Sequence, residues 1–348
     1  MKPILFRVKE EILNGINYRL NDWTKTAEVI KKGGLYEGNI IIPETVVFNE
    51  ATYRVTSIGK SAFRNCSSLT LITIPNSIES IGKGTFAACK CLASIVVAEG
   101  NTKYDSRENC NAIIETVTNI LISGCKNTTI PDSVTSIGDG AFADLASLTS
   151  IVIPESVTSI GYAAFCNCSA LTAITIPNGV TSIGEKAFDW CKSLKSITIP
   201  DSVTAIGDGA FYGCSSLISI VIPDSVTSIG YRAFFECSSL MSVSIGNSVT
   251  TIEAEVFYDC SSLTSITIPN SVTTIGYGAI SYCTSLASIV IPDSVTSIVE
   301  SAFSGCESLT SITFQGAIAQ WKKIELGDGW NNDIPATVVH CTDGDVEI

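Results

Sequence analysis

Phe165, Phe188, Phe211, Phe234 and Phe257 stand 23 residues apart, and Cys168, Cys191, Cys214, Cys237 and Cys260 keep the same interval. A period this regular restricts the chain to an architecture in which one small unit is stacked on itself. Aligned on its phenylalanine, a copy reads L-x-x-I-x-I-P-x-S-V-T-x-I-G-x-x-A-F-x-x-C-x-x. In one copy the apolar positions are Leu194, Ile197, Ile199, Val203, Ile206, Ala210, Phe211 and Cys214. The L-x-x-I-x-I portion alternates with period two and predicts a short strand. Pro200, which has no amide donor, ends it. V-T-x-I predicts a second extended segment. Gly207 then leads into an expected single helical turn that directs Ala210, Phe211 and Cys214 inward. The apolar surface of one copy is too small to offset the ordering of its backbone, so copies must share a core. Stacked at about 4.8 Å per step, they form a solenoid with parallel ladders.

Copies centre on Phe63, Phe86, Phe142, Phe165, Phe188, Phe211, Phe234, Phe257, Ile280 and Phe303. The interval of 56 residues from Phe86 to Phe142 holds one irregular repeat, Ala98–Pro131, which lacks A-F-x-x-C. It predicts a loop followed by strands around Ala112–Glu115 and Ile120–Ile122. The expected organisation is an N-terminal β cap over 1–57 that merges into the first repeat, a repeat solenoid over 58–314 with its irregular repeat at 98–131, and a C-terminal cap over 315–348. Caps are required because an open solenoid end exposes core and strand edges. The N-terminal cap contains hairpin-like strands such as "INYRLND" and "GNIIIPETVVF". The C-terminal one holds an amphipathic stretch, "AIAQWKKIEL", and an expected last strand, "ATVVHC".

A net charge of −13 argues against nucleic acid, whose phosphates need clustered Lys and Arg. No apolar run approaches the roughly 20 residues of a membrane-spanning helix. The start "MKPILFRVKE" is broken by Pro3, Arg7 and Lys9 and shows no export-signal core. The expected state is a soluble monomer without membrane insertion.

The 14 cysteines do not form metal hooks, because the 23-residue spacing lays their sulfurs in a row along the axis. In-register Cβ atoms about 4.8 Å apart are slightly too distant for a normal disulfide. Leu145 holds the same position in the Phe142 copy, so the row reads as buried, unreactive core. Off the row, Cys110 and Cys125 are candidates for a pair, while Cys341 is unassigned. His340, the only histidine, stands in the expected last strand and reads as structural, and a nucleophilic triad has no other base to draw on. Asp132, Glu155, Asp201, Asp224 and Asp293 follow the strand-ending proline, alternating with Asn in other copies. With the next serine they fit turn capping of their own backbone better than a calcium ladder. Neither an enzyme nor a cofactor is expected.

Two surfaces offer a binding reading. One is the outward strand face, with Ser150 to Ser311 in one column and Val152, Thr175, Thr198, Val221, Ser244, Thr267, Val290 and Thr313 in its neighbour. The other is the variable edge after the phenylalanine. Tyr212, Phe235 and Tyr258 occupy one column in three consecutive copies, Trp190 and Tyr282 extend it diagonally, and Tyr162, Tyr231 and Tyr277 stand two positions after an isoleucine on the same edge. Aromatic side chains of this kind are enriched in binding hot spots.

The repeat motif resembles the Treponema-type leucine-rich repeat of BspA-like bacterial surface proteins, and the resemblance covers nearly the whole chain. "YDSRENCNAIIETVTNILISGCKNTTIP" and "WNNDIPATVVHCTDGD" are also similar to sequences in members from gut and oral Bacteroidetes. The resemblance implies an α/β-type repeat solenoid, right-handed and curved, on a cell-surface or secreted protein that adheres to host matrix, host cells or other bacteria. An intracellular or periplasmic scaffold is the alternative reading.

Overall fold

The computed structural model describes residues 8–31 and 33–348. Each regular copy contributes two short strands and a turn segment, and copies pair in parallel at a constant offset. On the first face Ile174 lies opposite Ile197 and Ile220 opposite Val243; on the second Ile183 lies opposite Ile206 and Ile206 opposite Ile229. The isoleucines point inward while their serine and threonine neighbours face out, because side chains alternate along an extended chain. The phenylalanines stack face to face, with centroids 5.4 Å apart for Phe188–Phe211 and 5.2 Å for Phe211–Phe234.

The segment expected as a helical turn takes a different local form. Three successive i→i+3 turns replace it: Ala210 N–H bonds Gly207 O at 3.2 Å, Tyr212 bonds Gly209 at 3.1 Å, and Cys214 bonds Phe211 at 3.2 Å. The intervening amides of Gly209, Phe211 and Gly213 donate instead to Tyr231, Ala233 and Phe235 of the next copy, each at 2.8 Å. A helix would commit the amides of Phe211 and Gly213 to carbonyls of their own copy and leave them unable to join the next. Releasing alternate amides requires left-handed backbone at the third residue of the first and last turns, where φ is +57° at Gly209 and +65° at Gly213. Elsewhere that position is filled by Trp190, Glu236 and Tyr282, at a cost of about 1–2 kcal/mol each.

The cysteine row is buried and free, and its role is more specific than filling space. Cys168, Cys191 and Cys214 each donate an S–H bond, 3.2 Å long, to the carbonyl of the phenylalanine in the preceding copy. That carbonyl already accepts one amide, so the thiol satisfies its second lone pair. Burial pushes these thiols up, and Cys237 to about 12, which keeps them protonated donors. Cys110 and Cys125 are free too, because they face different cores: Cys110 packs with the central repeats and Cys125 with the N-terminal ones.

The self-capping expected of the aspartate and serine after the proline is replaced by bonds between copies, which the neighbouring threonine joins. Ser202 Oγ donates to Val180 O at 2.7 Å, Thr204 Oγ1 to Thr181 O at 3.2 Å, and Asp224 Oδ1 accepts the Asn247 amide at 2.7 Å.

At the N-terminal end the antiparallel strands Val8–Leu13, Ile16–Asn21 and Thr26–Val29 join Ala51–Ile58, which passes the ladder in parallel to Ser80–Ile81. The irregular repeat forms Ala112–Glu115 and Ile120–Gly124 as an antiparallel pair, and the second of these resumes the parallel ladder with Ser136–Ile137. At the C-terminal end only Ile318–Trp321 of the amphipathic stretch is helical. Val338–Cys341 is not the last strand, because Gly344–Glu347 folds back on it and covers its free edge. Among the described residues no helix is long and apolar enough to cross a membrane.

Candidate recognition edge

The turn segments bring Trp190, Tyr212, Phe235, Tyr258 and Tyr282 into one continuous row. Tyr212–Phe235 and Phe235–Tyr258 are stacked, with centroids 4.8 and 4.7 Å apart. Trp190–Tyr212 and Tyr258–Tyr282 are tilted by 53° and 54°. The tilt follows from backbone, since Trp190 and Tyr282 sit in left-handed conformation and swing over the next copy. There a Cβ on Gly213 would come within 2.8 Å of the indole, and one on Gly305 within 2.8 Å of the phenol. Each splayed aromatic therefore needs a glycine 23 residues on, a coupling visible in the sequence but not used in reading it.

The rings differ in access. Phe235 is 8% exposed, closed over by the Arg232 guanidinium 4.9 Å above its face, whereas Tyr282, Tyr231 and Tyr277 are 47%, 42% and 45% exposed. Tyr231 donates to Glu255 Oε2 at 3.0 Å, and Arg232 pairs with the same carboxylate. Lys192 lies 4.7 Å over Trp190. Tyr162 is equally exposed but stands apart, three copies before Tyr231 and with Lys186 at 5.9 Å. Burial pushes the phenols of Tyr212 and Tyr258 up, so both remain neutral hydrogen-bond donors. His340 lies at the C-terminal end, its Nδ1 2.8 Å from Asp345 Oδ1. Among the described residues no three His, Cys, Asp or Glu side chains converge as metal ligands.

The sequence matches the family described as BspA type leucine rich repeat region, in six copies, over residues 40–123, 122–240 and 204–324. The chain belongs to this BspA-type family. A BspA-type solenoid explains the fold neighbours. A leucine-rich repeat protein from Bacteroides ovatus ATCC 8483 is 26% identical with TM-score 0.54, over 93% of this chain and 92% of that one. One from Eubacterium ventriosum ATCC 27560 is 20% identical with TM-score 0.53, over 94% and 95%. A leucine rich cell surface protein from Faecalibacterium prausnitzii A2-165 is 26% identical with TM-score 0.45, over 91% and 97%. No curated protein sequence matches. Leucine-rich repeats generally mediate contacts between proteins.

One carboxylate beside the row is out of balance. Asp189 precedes Trp190 and lies one copy before Tyr212; its Oδ1 is buried without a partner among the described residues, and its Oδ2 is 3.8 Å from Cys166 Sγ. Burial raises its carboxyl to about 6, against the opposing effects of Cys166 and Lys186, while burial and the Asp189 charge raise the Cys166 thiol to about 12. A carboxyl that binds its proton more tightly when folded stabilises the protein below its unfolded value of about 4, and that contribution is lost as pH rises through 6. Asp189→Asn is therefore expected to gain melting temperature over the parent as pH goes from 4 to 7, with the gain level above that. Parallel melting curves across the range would show that water reaches Asp189.

Proposed function

We propose that this BspA-type chain is a non-catalytic protein-recognition module of a bacterial cell-surface protein, acting in adhesion to host matrix, host cells or other bacteria through its aromatic edge. The observation that carries the reading is the unbroken row from Trp190 to Tyr282 with exposed phenols beside it. The fold does not need aromatics at these positions, since other copies place Asn167, Ser281 or Gly213 there. In this reading Tyr212, Phe235 and Tyr258 form a rigid base, and Tyr231, Tyr277 and Tyr282 make the outer contact, with Trp190 and Tyr162 extending it. Tyrosine and tryptophan supply large contact area at low entropy cost, and anchors of this type contribute about 2 kcal/mol each. The net charge of −13 favours a basic partner, with rim contributions that weaken as salt screens them.

The test compares the parent with a Tyr231→Ser, Tyr277→Ser, Tyr282→Ser triple variant in pull-downs against purified host matrix proteins and bacterial surface fractions. All three side chains are exposed, so the variant is expected to keep the parental melting profile while losing capture by tenfold or more, about 1.4 kcal/mol. Undiminished capture by the folded variant would move the site to the Ser/Thr strand face.

A further inference from the structure

The amide ladder along the turn edge has one missing rung. Ser61, Phe63 and Asn65 donate to the carbonyls of Lys83, Thr85 and Ala87, at 3.2, 3.0 and 2.9 Å. The pattern resumes when Gly140, Phe142 and Asp144 donate to Tyr162, Ala164 and Cys166, each at 2.8 Å. Between them, the amides of Gly84, Phe86 and Ala88 hold the donor positions of the ladder. Among the described residues they meet no acceptor. On the facing copy Ala141 O is taken by Gly124 N–H at 2.9 Å, while the carbonyls of Asp139 and Ala143 accept nothing among the described residues. The cause lies in the sequence: the irregular repeat between these copies carries no A-F-x-x-C turn.

A cavity of about 510 Å³ occupies this break, lined by Gly84 and Phe86 on one wall and by Asp139, Gly140 and Ala143 on the other. Its volume lies in the range of ligand sites. Lys83–Asp139 at 3.2 Å ties the walls together. The pair is exposed, with side chains 82% and 48% accessible, so moving it aside costs little. The place where a repeat phenylalanine would stack is closed, because Gly124 lies so tightly on the Phe142 ring that a Cβ there would overlap it.

We propose that this cleft binds a polypeptide segment from a partner protein, with small side chains and the same succession of tight turns, which supplies the missing rung. Backbone carbonyls at alternate residues of the segment accept from Gly84, Phe86 and Ala88, and its amides donate to Asp139 O and Ala143 O. The donors lie on alternate residues, the register at which Gly209, Phe211 and Gly213 meet the turn-segment carbonyls of Tyr231, Ala233 and Phe235. A peptide backbone is the ligand class that carries acceptors and donors on opposite edges at this repeat. The closed ring slot and the glycine-rich walls restrict the side chains to small ones. This site is separate from the aromatic edge and does not depend on it.

The probe is a synthetic peptide copying 207–215, the segment that fills the rung elsewhere, with Phe211→Ala and Cys214→Ala to suit the closed slot. Hydrogen exchange is followed by NMR on the full chain. The amides of Gly84, Phe86 and Ala88 are expected to exchange at least tenfold faster than those of Gly209, Phe211 and Gly213, and to slow by about tenfold with millimolar peptide. Ala143→Trp, which fills the cleft, should abolish the slowing. A photo-crosslinking version of the peptide, used on the unsubstituted chain, should label 81–87 and 138–143 whether or not that variant folds. Absence of slowing and of labelling at these segments, or slowing that survives Ala143→Trp, overturns the proposal. Neither result bears on capture by the aromatic edge, which Ala143→Trp leaves intact.

Discussion

Phe211→Ala is expected to destabilise the chain by about 3–5 kcal/mol in urea unfolding followed by circular dichroism. The ring is fully buried and stacked at both faces, on Phe188 at 5.4 Å and on Phe234 at 5.2 Å. Its removal leaves a cavity that neither neighbour can close, because each is held by the next ring in the stack. The backbone gives no relief, since Phe211 N–H is fixed to Ala233 O at 2.8 Å and Phe211 O accepts both Cys214 N–H and the thiol of Cys237. Phe211→Ile should cost much less, as Ile280 already fills this column in another copy. Equal losses for Ala and Ile would mean that ring stacking, rather than filled volume, holds the column.

Deletion of 1–57 is expected to make the chain aggregate relative to the parent, read by size-exclusion chromatography with light scattering. The deletion removes Tyr18, Tyr36 and Tyr53, which are among the largest side chains of the N-terminal core. Phe63 loses the Tyr36 ring at 4.7 Å and becomes an open aromatic face. Two parallel edges are uncovered together: Leu69–Ile74 loses Gly38–Ile41, and Ser80–Ile81 loses all of Ala51–Ile58 except Ile58. Paired loss of core and edge is the situation in which strands recruit other chains. A truncated chain that stayed monomeric and as heat-stable as the parent would show that the first repeats close themselves.

Spacing alone identified the core columns, the irregular repeat and the neighbouring of the aromatic rings, because each follows from which positions recur. What spacing could not reveal was where the backbone groups go. The A-F-x-x-C segment has helical spacing of its apolar residues, yet the need of Gly209, Phe211 and Gly213 amides for the next copy excludes a helix. Ser202 and Asp224 look like local caps in the sequence because their favoured bonds in isolation are local; stacking offers carbonyls and amides of adjacent copies instead. In the sequence cysteine looks like filler because a thiol is a weak donor, and its acceptor, a carbonyl 26 residues earlier, is invisible without the stack. At the aromatic edge, column membership did not disclose access: Phe235 and Tyr282 both belong to the row, but Arg232 roofs one and left-handed backbone turns the other outward.

Most bonds that join copies run from amide, thiol or hydroxyl to main-chain carbonyls; apart from pairings such as Trp190 with Gly213 or Asp224 with Asn247, they carry no address naming which copy must follow which. A unit duplicated or deleted in the gene would find the same acceptors waiting at either side. The molecule is thus a ruler graduated in steps of about 4.8 Å. Recombination between near-identical units can change the distance between any two surface groups by whole graduations without redesigning the interior, and the variable positions are then free to diversify on a scaffold whose length is itself heritable.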